Sequence, residues 1–224
     1  WDLSHSSLID WQHWDDIVKL NKIKNEYTIQ PGTQIKIPLK WAKQRSSKIT
    51  SKHCYGKVTI RLKNSRHVLP LKPGMRISIG DSITTDKNSN AVLVLEDGTK
   101  LNLLEQSELS FTIARSLGGD KINSLDIQAH IKKGRADIYA NPHKNPDNRF
   151  EIQTIAGNSA VRGTQFRINA SDTTTKTEVL SGRILVSNTQ GKISLPAGFG
   201  TIAAVGKKPL PPVVLLAAPD LKQL

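Results

Sequence analysis

FEIQTIAGNSAVRGTQFRI, residues 150–168, is the stretch around which the rest of the chain is arranged. Phe150, Ile152 and Thr154 alternate with their neighbours, and the pattern resumes at Val161 and through 165–168. Period-two alternation of this kind marks a strand with one buried face. Two strands are therefore expected, parted by Gly163-Thr164. Gly163 falls where an ordinary side chain would continue the strand, which suggests a bulge or a tight backbone corner.

Working outward, short β-rich runs fill 57–206. Strands are expected at 58–62, 75–79, 91–95, 100–103, 109–113, 124–131 and 135–139 before this stretch, and at 177–180, 183–187, 192–195 and 200–204 after it. Asp97-Gly98 between two alternating runs predicts a hairpin. Residues 141–148, NPHKNPDN, read as a loop between two halves. The halves echo one another. Gly98-Thr99-Lys-Leu-Asn-Leu matches Gly163-Thr164-Gln-Phe-Arg-Ile, and 131–138 (IKKGRADI) matches 179–186 (VLSGRILV). Preserved order with contracting spacing suggests a duplicated β unit. The expected class is mainly β: a repetitive domain, solenoid-like or two-sheet, behind a small α+β module. Sequential, Gly-punctuated repeats favour the solenoid-like form.

Residues 1–40 form that module. Trp11, Trp14, Ile17, Val18 and Leu20 recur at helical spacing, with Asp10 placed to cap the helix. Pro31-Gly32 turns the chain into a short strand near Ile35 and Ile37. Residues 41–56, WAKQRSSKITSKHCYG, are polar, basic and aperiodic, and read as a linker. Residues 207–224 read as a Pro-rich tail or linker, extended at least through Pro212.

The net charge is +13, and no Asp or Glu occurs between Glu26 and Asp81. That window suits a polyanionic surface, or equally a linker kept extended by solvated lysines. The lone Cys54 rules out an internal disulfide framework and reads as an ordinary thiol in a polar linker. No apolar run is long enough to span a bilayer as a helix. No Walker loop, HExxH, GxSxG or CxxC occurs, and the six histidines are scattered. No catalytic residue, metal ligand or cofactor is expected.

The motif T-x5-AVRGT-x-F-x-I within 150–168, with LEDGTKLNL at 95–103, VLSGRILV at 179–186 and LPAGFG at 195–200, resembles the FecR domain of bacterial envelope proteins over roughly 68–204. The resemblance implies an all-β periplasmic domain that senses or binds without catalysis. Its structural signature falls on Gly98, Thr99, Arg162, Gly163, Thr164 and Phe166. The order of elements in 1–40 resembles the LysM module, which binds N-acetylglucosamine-containing glycans, on Trp14, Ile17, Leu20-Asn21, Ile29, Pro31-Gly32 and Ile37-Pro38. A complete LysM starts with a strand and a Gly-Asp-Thr-Leu turn. Neither precedes Trp1, so the chain reads as a processed or excised piece of an exported protein. The surviving half of the glycan groove would be Lys24, Asn25, Glu26, Tyr27, Thr28, Ile29 and Gln30. Together these imply a non-enzymatic periplasmic or envelope protein tethered to peptidoglycan or a related glycan, with an envelope protein as a further partner. The alternative is a FecR-type transducer regulating a sigma factor in iron or metal uptake. A wall hydrolase ranks third, and a nucleic-acid binder last.

Overall fold

The alternation read in the sequence becomes two facing sheets around one core. The computed structural model describes residues 7–38, 40–117, 124–141, 148–161 and 163–216. In chain order the strands are β1 (Gln44–Ser46), β2 (Ile49–Tyr55), β3 (Val58–Arg61), β4 (Val68–Pro70), β5 (Arg76–Ile77) and β6 (Ser82–Thr85). Next come β7 (Asn90–Leu95), β8 (Lys100–Leu103), β9 (Glu108–Leu117), β10 (Ser124–Tyr139), β11 (Arg149–Thr154) and β12 (Gly157–Val161). The last are β13 (Gln165–Ala170), β14 (Thr174–Ser181), β15 (Arg183–Asn188), β16 (Gly191–Pro196), β17 (Phe199–Ala204) and β18 (Val213–Val214).

The first sheet runs β4–β3–β6–β9–β10–β11–β12–β15–β16, with β1 against the far half of β9. The second runs β5–β2–β7–β8–β10–β13–β14–β17–β18. Pairing is antiparallel except between β10 and β11. The long strand β10 belongs to both sheets, and together they curl into a flattened, barrel-like sandwich. Of the two arrangements left open by the repeats, the two-sheet one forms, and the preferred stacked-coil form does not.

The chain builds a hairpin in one sheet, steps to the other, and builds the next. Its steps at Gly56, Asn88, Gln106, Gly134, Gly163, Gly182 and Gly198 all have positive φ. Two of these steps are locked in the same way. At Gly134, inside β10, the following Arg135 N–H donates to Ser107 Oγ at 2.8 Å. At Gly182, the hydroxyl of Thr164 donates to Arg183 O at 3.1 Å. In both cases a hydroxyl from one step holds the backbone of the step beside it.

This gives the sequence echo a physical meaning and a limit. The two Gly-Thr strands, β8 and β13, flank β10 in the same register. Ile138 lies between Leu101 and Phe166, and Ala136 between Leu103 and Ile168. All six are essentially inaccessible to solvent. The preceding strands do not correspond, because β7 pairs with β8 in one hairpin while β12 lies in the other sheet. Gly98 is thus a hairpin turn and Gly163 a step between sheets, although both have positive φ (+83° and +56°).

Three segments differ from their sequence reading. The expected linker 41–56 contains β1 and β2, and β2 is an integral strand of the second sheet. Its pattern was hidden because only Ile49 and Ser51 are fully buried, and polar residues occupy the rest. Cys54 accordingly packs against the core from β2. In the tail, β18 pairs with β17, and Leu210 N–H donates to Ile202 O at 3.0 Å. In the N-terminal module, Asp10 caps a 3₁₀ turn, Trp11–His13, that runs into the helix Trp14–Leu20. No strand forms at Ile35 and Ile37. Instead the Asn21 side chain accepts from Lys36 N–H at 2.7 Å and donates to Lys36 O at 2.9 Å, as a neighbouring strand would.

Candidate functional site

The residues singled out for glycan contact form one exposed loop beside the helix Trp14–Leu20. Asn25 opens a 3₁₀ turn, Glu26–Thr28, by accepting from Tyr27 N–H at 3.0 Å. The Thr28 hydroxyl closes it onto Asn25 O at 3.4 Å. Glu26 accepts from the Trp14 indole N–H and so ties the loop to the helix. Tyr27 is 83% exposed, so the turn holds an aromatic ring out in water at little packing gain. Lys24 and Gln30 are exposed at the two ends of the loop, and Ile29 is half-buried.

The helix has one inaccessible residue, Ile17, while Trp11 and Leu20 stay more than half exposed. Of the helically spaced residues Trp11, Trp14, Ile17, Val18 and Leu20, only Ile17 is thus fully buried. The module is joined to the β domain by backbone bonds, Ile9 N–H to Trp41 O at 2.9 Å and Lys43 N–H to Ser7 O at 2.8 Å. His13 stacks on Trp41 with ring centroids 4.8 Å apart. Trp41, over whose ring the Lys40 ammonium lies 4.7 Å from the centroid, is a contact residue that the linker reading of 41–56 missed.

The signature residues Gly98, Thr99, Gly163, Thr164 and Phe166 lie near β10. Phe166, Thr99 and Thr164 are each 1% exposed. Asn141 N–H donates to Thr99 Oγ1 at 3.3 Å, and Ala140 N–H to Thr164 O at 3.0 Å. Gly98 and Gly163 border a cleft of about 570 Å³ that also touches Tyr139 and Gln165. Arg162 lies outside the described residues. A larger groove of about 710 Å³ borders β11, β12 and β15, between Arg149 and Arg183, over Phe150, Val161 and Leu185. Among the described residues no group of three or more His, Cys, Asp or Glu is placed to hold a metal ion.

Electrostatics at the rim of the β domain are mostly satisfied locally. Arg45 and the Lys48 N–H both engage Glu96. The Arg45 hydrogen bond is foremost in holding the Glu96 carboxyl below its usual range, and partial burial opposes it. Lys57 and Asp86 pair at 3.2 Å.

The family model described as FecR protein matches residues 81–185, and the one described as LysM domain matches residues 13–38. The chain carries a FecR domain with a LysM module ahead of it. The exposed loop at Lys24–Gln30 lies inside the LysM match, and β10 is central to the FecR match. The FecR domain as folded is wider than its match, because β2, β3, β16 and β17 complete the same two sheets. No curated protein matches the chain. Two crystal structures of a protein from Parabacteroides distasonis described as an anti-sigma factor share 17% identity with it, with TM-scores of 0.45 and 0.46. Each alignment covers 58% of this chain and 57% of that one. No helix among the described residues is long and apolar enough to cross a membrane.

Proposed function

We propose that the protein is a non-enzymatic component of the cell envelope, held on peptidoglycan or another N-acetylglucosamine-containing glycan by the loop 24–30, while the FecR domain presents a binding or sensing surface. The observation that carries this reading is the loop itself. It is braced by Asn25 and by the Trp14–Glu26 bond, yet it buries neither Tyr27 nor Lys24. A polar loop rigidified around an exposed aromatic ring suits a sugar face, which offers C–H groups to the ring and hydroxyls to the amides. In the FecR domain the signature residues Thr99, Thr164 and Phe166 are buried and serve the fold.

Sedimentation of the whole gene product with purified peptidoglycan tests the tether. Binding is expected, and Tyr27→Ala with Lys24→Ala, both at exposed side chains, should reduce it by about tenfold without lowering the melting temperature. If the protein stays in the supernatant while a control LysM protein sediments, the tether reading is wrong.

A further inference from the structure

The outer face of the first sheet carries an unbroken row of polar side chains. Arg61 on β3 and Lys192 on β16 stand near its two ends. Between them the strand register aligns Ser82, Ser110, His130, Gln153, Asn158 and Ser187, one from each intervening strand. With strands about 4.8 Å apart, the row runs for roughly 34 Å. Its residues alternate with buried ones along each strand, so the row faces water. It contains no carboxylate and no Phe, Tyr or Trp.

At the Arg61 end the surface is hollowed. A groove of about 280 Å³ is floored by Thr59, Ser82 and Thr84 between Arg61 and Lys132. A second, of about 420 Å³, shares Thr59 and Thr84 with it and reaches Lys133. The carboxylates in these grooves are already paired, Glu108 with Lys132 at 3.3 Å and Asp86 with Lys57 at 3.2 Å. Arg61 and Lys133 have no acidic partner among the described residues. The face therefore offers unpaired cations at its hollowed end and hydroxyl, amide and imidazole groups along its length.

We propose that this face binds an extended polysaccharide bearing carboxylates, laid across the strands with an acid group at Arg61. Ser, Asn, Gln and His each give and accept hydrogen bonds, as sugar hydroxyls do. The guanidinium fork fits a carboxylate in two-point contact. A chain with net charge +13 adds long-range attraction. Single-stranded nucleic acid would call for a series of stacking rings, where the row offers only the His130 imidazole, and a protein partner would call for large aromatic or apolar anchors, which the row lacks. The proposal rests on the FecR domain being a binding module and is independent of the tether.

Binding of oligogalacturonate at physiological salt, followed by calorimetry, tests it. Arg61→Glu should weaken binding by about tenfold or more, and Asn158→Leu by a smaller factor. Lys176→Glu, on the outer face of the second sheet, should change it less than about twofold. Lys133→Glu replaces Arg61→Glu if the latter lowers the melting temperature. Polyglutamate, which has the charge without the hydroxyls, should bind more weakly. No binding, an equal loss in Lys176→Glu, or equal affinity for polyglutamate or single-stranded RNA would each overturn the proposal. Tyr27→Ala should leave oligogalacturonate binding intact, so failure of the tether and failure of this face are separable.

Discussion

At Gly134 a Cβ atom would stand 2.1 Å from Ser107 Oγ and 2.4 Å from Ser107 Cα, on a residue with φ of +96°. Positive φ is strained for any L side chain, and here backbone also blocks the space. Gly134→Ala should cost about 2–5 kcal/mol, the sum of strain and overpacking. Gly98 has the same sign of φ but nothing nearer than Asn141 Nδ2 at 3.4 Å. Gly98→Ala should therefore cost only about 1 kcal/mol. Urea unfolding of the two variants checks the order, and equal losses would contradict the locked step. Cys54 supplies a second test at this scale. Partial burial pushes its thiol pKa up. Alkylation by iodoacetamide at pH 8 should be slower than for a free peptide thiol, and urea should remove the difference.

Among elements, β2 separates the two readings of 41–56 most directly. Ile49 is 0% exposed and pairs with Ile77 on one side and Leu95 on the other. Ile49→Ala should cost about 2–5 kcal/mol, as large-to-small changes in a core do; in a linker it would cost nothing. Calorimetry of the variant decides between them. The entry to β2 is also clamped by Glu96, which takes Arg45 and the Lys48 N–H together. Glu96 has a depressed folded pKa, so its contribution is complete above the unfolded carboxylate value of about 4.3 and is lost as pH falls through the folded value. Glu96→Gln should lower stability at pH 7 by about 1 kcal/mol or less, because Arg45 is half exposed. At pH 2–3 the variant and the parent should converge. A difference that persists unchanged in acid would show that the charge is not what holds the clamp.

For the whole molecule, one core draws on strands from both ends of the β domain. Ile49, Val58 and Ile60 precede the FecR match, Leu195 and Ala203 follow it, and all belong to the same buried cluster. A fragment limited to 81–185 would lose β2, β3, β16 and β17 and expose the inner faces of their neighbours. It should show no cooperative melt by circular dichroism, whereas 44–216 should melt in one transition. A folded 81–185 fragment would mean that the outer strands are accessories to a smaller core.

The β class, the Asp97-Gly98 hairpin and the special backbone at Gly163 were legible from residues 150–168 and 95–103, because a half-buried strand writes its two faces into alternate residues. The helix was legible from its own local periodicity, although Asp10 caps the 3₁₀ turn before it and not the helix itself, and the two module resemblances rested on local motifs of that kind. Other features depended on partners distant in sequence. Strand β2 carries too few apolar residues to announce itself, and only pairing with β7 reveals it. Residues 124–131 and 135–139 read as two strands, yet Gly134 joins them into one that serves both sheets. The echo of Gly98-Thr99 and Gly163-Thr164 was visible as letters, but its cause, two strands flanking β10 in one register, exists only in three dimensions. So does the polar row from Arg61 to Lys192. Sequence encodes which face of each strand meets water, whereas the register between strands far apart in the chain decides which of those residues stand side by side.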